Sequence, residues 1–165
     1  MKKMTLFFAL AMVVLASCKK DDACPFSESG ATATVAEKDS ISSYLAHNGL
    51  TATPHPSGVF YNISTQGTGN MPSICSGISF RYSGKFMASG VQFDATSGSE
   101  FATFQLGELI VGWQKALPFL KAGGRITIYI PPSLGYGSNN VPSTGPVVIP
   151  GNSYLKFDIE LVDVQ

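Results

Sequence analysis

Between Phe104 and Gly137 the chain reads FQLGELIVGWQKALPFLKAGGRITIYIPPSLGYG, and this stretch restricts the fold more than any other. Phe104 and Leu106 share one face of a strand. The only tryptophan, Trp113, then opens a helix on which Trp113, Ala116, Leu117 and Leu120 recur at helical spacing. Gly123-Gly124 ends that helix, and Ile126, Ile128 and Ile130 line the strand that follows. Pro131-Pro132 and Gly135-Tyr136-Gly137 form a tight loop after it. No phosphate-binding glycine motif, metal-ligand cluster or nucleophile–base pair lies in the stretch. It concentrates aliphatic and aromatic side chains around one helix start.

The flanking segments have a period of two. Ile78, Phe80 and Tyr82 share one face, as do Ala102, Phe104 and Leu106, and near the C-terminus Leu155, Phe157, Ile159 and Leu161. Gly58 to Ile63 opens this run of strands, and Gln66-Gly67-Thr68-Gly69 is a turn. Such strands around a single helix give an α+β fold, an antiparallel sheet covered by that helix. The 165 residues suit one domain with appendages, and 44% hydrophobic residues with 18 aromatics (11 Phe, 6 Tyr, 1 Trp) suffice for one core. Eleven basic residues balance 11 acidic ones, and no basic block follows residue 20, which argues against nucleic acid as a partner.

Residues 1–17 read as an export signal: Lys2-Lys3, a 12-residue apolar run from Met4 to Leu15, then small residues before Cys18. The run falls short of the ~20 residues that span a bilayer; a buried N-terminal helix is the competing reading. Leu15-Ala16-Ser17-Cys18 resembles the lipobox of bacterial lipoproteins, which implies cleavage before Cys18, lipidation of Cys18, and a tether over residues 18–33. Acyl chains contribute ~0.8 kcal/mol per buried CH₂, so such a protein is anchored to a membrane without spanning it. The expected location is the cell envelope, on the outer membrane. Cleavage would leave 9 basic and 11 acidic residues, a net charge of −2. Lys19-Lys20-Asp21-Asp22 resembles the signal that sends some Bacteroidetes lipoproteins to the cell surface; it reads equally as a solvated tether, so periplasmic and outer faces both stay open. Export favours oxidised thiols, and the two other cysteines allow one bridge, Cys24–Cys75, with two unpaired thiols as the alternative.

Thr34 and Glu37 have capping-box spacing, Ile41, Tyr44 and Leu45 make a short apolar face, and Asn48-Gly49 ends the segment. A helix with so thin a face must pack on the main domain. Thr51 to Ser57, with Pro54 and Pro56, reads as a linker that completes an N-terminal unit over 34–57. His47 and His55 have no carboxylate or cysteine at ligand spacing and read as surface histidines.

The remaining motifs occur in a familiar order. Tyr-Ser-Gly-Lys at 82–85, Phe93-Asp94, Glu-Leu-Ile-Val-Gly-Trp at 108–113, Gly135-Tyr136-Gly137 and Phe-Asp-Ile-Glu-Leu at 157–161 together resemble the FKBP family of peptidyl-prolyl cis-trans isomerases, over residues 58–165. The resemblance implies a curved five-stranded antiparallel sheet wrapped around one short helix, with the N-terminal helix as an addition. It implies no cofactor and no metal. Substrates would be Pro-containing segments of unfolded or partly folded exported proteins, and tacrolimus-like macrolides would be ligands. It assigns Tyr82, Asp94, Ile110, Trp113 and Tyr136 to the catalytic set. Trp113 would be the floor beneath the proline ring, the Ile110 N–H and the Tyr136 hydroxyl donors to substrate, and Asp94 the acidic group of the pocket. Phe93, Phe104, Leu109, Ile149 and Phe157 are assigned to substrate binding.

These residue types suit the reaction. Rotation about a peptide C–N bond faces a barrier of about 18–20 kcal/mol because resonance must be broken, and X-Pro bonds exchange over tens to hundreds of seconds unaided. A twisted amide has lost its conjugation and its zwitterionic character, so a dry apolar pocket with one or two donors favours it over the planar form. Two positions depart from the family pattern: Ala102 stands where an aromatic commonly walls the pocket, and Ser99-Glu100 where many members carry an arginine to pair with Asp94. The loop over 137–149 is longer than in the smallest members. A wider pocket leaves a second reading, a module that binds Pro-containing or unfolded segments with little turnover.

Overall fold

The computed structural model describes residues 24–143 and 147–165. The export signal, Cys18 and the charged segment after it lie outside the described residues. Helix α1 (Val35–His47) starts at its capping box: the Glu37 N–H donates to Thr34 Oγ1 at 3.2 Å, and the Glu37 carboxylate accepts the Thr34 N–H at 2.8 Å. Strands β1 (Thr53–Pro54), β2 (Phe60–Thr65), β3 (Gly77–Phe86), β4 (Gln92–Ala95) and β5 (Ala102–Gln105) follow. The short helix α2 (Val111–Ala116), β6 (Arg125–Ile130) and β7 (Leu155–Val164) complete the fold. No helix among the described residues is long and apolar enough to cross a membrane.

All strand pairs are antiparallel, in the order β1-β2-β6-β7-β3-β4, with β5 also on β3. The five expected positions are β2, β6, β7, β3 and an edge that β4 and β5 share. Strand β3 is ten residues long, so its first half pairs with β5 (Ile78 opposite Phe104) and its second with β4 (Gly84 opposite Asp94). Strand β1 adds two residues at the other edge, where Pro54 needs no ladder donor. The segment read as a linker is therefore ordered, with Ser57 buried and its carbonyl accepting the Ala33 N–H at 2.7 Å.

Alternation along the strands builds both faces. Ile126, Ile128 and Ile130 of β6 and the apolar positions of β7 meet Trp113, Ala116, Leu117 and Leu120 in the main core. Tyr129, between two of those isoleucines, points the other way and joins Phe60 and Met87 around Ile41 and Leu45 of α1. The sheet thus carries a helix on each face. On the main-core face α2 lies close against β6 because residue 112 is glycine; a Cβ there would come within 2.5 Å of Ile130 Cδ1.

The N-terminal arm is fixed before α1 begins. Cys24 is bridged to Cys75, 51 residues on, with Cα atoms 5.7 Å apart. Phe26 then lies over Gly107, where any side chain would collide with its ring.

Candidate active site

On the α2 side of the sheet, eight of the ten residues assigned from the sequence line one cavity of about 300 Å³. Its floor is Trp113, only 4% exposed. The indole is held edge-on by three rings: Phe80 at 4.9 Å, Phe157 at 5.3 Å and Tyr82 at 5.6 Å between centroids. Each such pair contributes about 0.5–1.5 kcal/mol beyond the area it buries, so the floor cannot tilt without breaking several contacts. Strand parity produces the arrangement. Phe80 and Tyr82 face the same side of β3, and Phe157 on neighbouring β7 stands opposite Gly84, where a Cβ would press within 2.8 Å of the Phe157 and Phe93 rings.

The polar groups stand at the rim. Tyr82 donates its hydroxyl to Asp94 Oδ2 at 2.5 Å, and the Ala95 N–H donates to Asp94 Oδ1 at 2.9 Å. Burial pushes the Tyr82 phenol far above its ordinary value, and the hydrogen bond to Asp94 adds to the shift. Burial, then the Asp94 charge, raise Tyr136 as well. Both phenols therefore stay protonated, able to donate, throughout the physiological range. Ile110 is the residue preceding α2, and its carbonyl accepts the Trp113 N–H at 2.9 Å. Gln114 Nε2 occupies the Leu109 and Gly107 carbonyls at 2.7 and 3.2 Å, whereas the Ile110 N–H finds no acceptor among the described residues.

The loop that lacks an arginine between Ala95 and Phe101 is held from β3 by another arginine. Arg81 Nε and Nη2 donate to the Ser99 carbonyl at 3.3 and 3.1 Å, holding that loop from β3 while Tyr82 serves Asp94. Ala102 is half-buried against the core, and the aromatic surface moves outward: Phe104 is 48% and Phe101 56% exposed.

Phe93 and Ile149 are not on the cavity surface. Phe93 is buried between Phe86 and Phe157, at 5.1 and 5.6 Å, one layer behind the lining. Ile149 is buried in the core, and its backbone bridges Val141 at 2.8 and 2.9 Å, pinning the base of the 137–149 loop. Two further residues do line the cavity, Phe80 and Glu108. The alternation that pairs Phe80 with Tyr82 carried the first signal. For Glu108 the signal was its spacing from Gln105, whose N–H its carboxylate accepts at 2.9 Å.

Residues 69–162 match the family model for FKBP-type peptidyl-prolyl cis-trans isomerases. Among curated relatives, the FKBP-type peptidyl-prolyl cis-trans isomerase FkpA of Buchnera aphidicola (subsp. Schizaphis graminum) is 39% identical over 111 residues, 66% of this chain and 42% of that protein. The FkpA of Escherichia coli K12 is 37% identical over 109 residues, 66% of this chain and 38% of that one. The chain thus spans about two-fifths of the length of these relatives. The crystal structure of Escherichia coli FkpA superposes with a TM-score of 0.67 at 31% identity, covering 79% of this chain and 58% of that one. That of AtFKBP13 gives 0.61 at 30% identity, covering 70% and 99%.

Proposed function

Because the chain belongs to the family of FKBP-type peptidyl-prolyl cis-trans isomerases, we propose that it isomerises X-Pro bonds in other proteins at the cavity over Trp113. The observation that carries this reading is the pairing of a rigid apolar floor with two donors, the unengaged Ile110 N–H and the protonated Tyr136 hydroxyl. A proline ring seated on Trp113 is desolvated. The Ile110 amide anchors a carbonyl of the bound segment, and the amide nitrogen is free to pyramidalise in a medium that does not reward the planar, charge-separated form. Tyr82 and Asp94 shape the rim as one hydrogen-bonded unit, with Phe104, Leu109 and Phe157 gripping the chain on either side and Phe93 and Ile149 supporting from behind.

The wider organisation belongs to the same proposal: an export signal over 1–17, a tether from a lipidated Cys18 over 18–33, the α1 unit over 34–57 and the isomerase domain over 58–165. The protein is then a lipoprotein of the Bacteroidetes kind, held on the outer membrane and acting on Pro-containing segments of exported proteins. Tacrolimus-like macrolides are candidate ligands of the same cavity.

Isomerisation of short Xaa-Pro peptides by residues 19–165 tests the activity, with Trp113→Ala and Asp94→Ala alongside. Clear acceleration by the parent is expected, with a loss of at least about tenfold in Trp113→Ala, equivalent to roughly 1.4 kcal/mol of transition-state stabilisation, and a smaller loss in Asp94→Ala. Folded protein that binds the peptides without accelerating them favours the binding module instead, a reading to which the exposed Phe101 and Phe104 lend weight.

A further inference from the structure

We propose that Glu37, on the added helix α1, is a positioning residue for the site: through Ser133 it holds the turn that presents Tyr136. Its carboxylate receives four hydrogen bonds. Oε2 accepts the Thr34 N–H at 2.8 Å, the Thr34 hydroxyl at 3.0 Å and the Ser133 hydroxyl at 2.9 Å, and Oε1 accepts the Ser133 N–H at 2.9 Å. One carboxylate therefore caps two helical starts, that of α1 and that of the 3₁₀ turn Pro132–Leu134, 96 residues away. The turn needs an outside cap. Pro131 has no side-chain acceptor and Pro132 no N–H, so the Ser133 amide is the first donor left without a partner inside the turn.

Beyond Ser133 the backbone closes on itself. Leu134 N–H donates to the Pro131 carbonyl at 3.1 Å, and Gly135 and Gly137 N–H donate to that of Pro132 at 3.1 and 2.9 Å. Tyr136 lies inside this closed unit, and its ring lines the cavity. A shift at Ser133 is therefore passed to Tyr136, since no slack joint separates them. Nothing in the catalytic chemistry requires α1, yet the helix reaches the site through this one side chain.

The consequence for turnover rests on the isomerase reading; the geometry does not. The test uses residues 19–165 carrying Glu37→Ala or Glu37→Gln, each alone and combined with Tyr136→Phe. Amide hydrogen exchange is followed at Leu134, Gly135 and Gly137 and across β6 and β7, and kcat/KM is measured where every variant is folded. In Glu37→Ala the turn amides should exchange about tenfold faster or more, with the sheet amides unchanged, and Glu37→Gln, which keeps an acceptor, should lie between. Activity should fall by about three- to tenfold when Tyr136 is present but by less than about twofold in the Tyr136→Phe background. Unchanged turn exchange, or an equal loss of activity in both backgrounds, overturns the proposal. Faster turn exchange in Glu37→Ala, when the parent isomerises no peptide, upholds the positioning and removes the isomerase reading instead.

Discussion

His55 shows what a side chain's neighbours add to its sequence context. Spacing alone made it a surface histidine, but Nδ1 accepts the Ser57 N–H at 3.1 Å and lies 2.8 Å from the Ser57 hydroxyl, with Phe119 against the ring at 5.8 Å. Burial first, and then the charge of Lys115, hold its pKa below the ordinary imidazole value. Protonation would remove the acceptor, so the folded state prefers the neutral ring. The stabilisation is complete above the unfolded value of about 6.5 and is lost as pH falls through the lower folded value. NMR titration of the ring protons should give a midpoint below that of a model peptide; a midpoint at or above it contradicts the packing described. At this scale the sequence discloses rings better than polar partners. Trp113, Tyr82 and Phe157 could be placed from helical and strand phase, because phase is local. The Arg81–Ser99 and Glu37–Ser133 bonds join groups 18 and 96 residues apart, and no periodicity announces them.

Elements were legible wherever one face is buried. The strands β3, β6 and β7 follow their apolar periods almost to the residue, whereas the helix expected to run to Gly123 ends at Ala116 and continues only as a 3₁₀ turn, Leu117–Phe119, because Pro118 has no N–H to extend the ladder. The edge was harder: that β4 and β5 share one position depends on the length of β3, and β1 exists only through its partner β2. The contact of α2 with β6 yields a prediction of its own. Gly112→Ala places a methyl against Ile130, and overpacking of this kind costs about 1–3 kcal/mol. The urea midpoint should fall with an unchanged slope, whereas an unchanged midpoint would mean that α2 can lift off β6 freely. Activity should fall with it, since the same movement carries Ile110 and Trp113.

For the whole molecule the decisive link is Cys24–Cys75. Cysteine count and an export context were enough to suggest the pair; that it lays the arm across Gly107, beside the entry to α2, was not readable. A bridge enclosing 51 residues restricts the unfolded chain by roughly 4 kcal/mol on loop-closure arithmetic. Replacing both cysteines by serine should lower the stability of residues 19–165 by up to about that amount, read from denaturant unfolding with and without reductant. Reductant should leave the serine variant unaffected. The bridge also sets a distance. Cys18 and Cys24 are six residue steps apart, which a chain can stretch to about 20 Å. Without the bridge the first backbone attachment is Ala33, 15 steps from Cys18 and about 50 Å at full stretch. On the proposed lipidation of Cys18, the oxidised protein would be held within a thin layer above the lipid headgroups. Were the bridge reduced and Phe26 released from Gly107, that leash would lengthen more than twofold and widen the shell that the cavity sweeps.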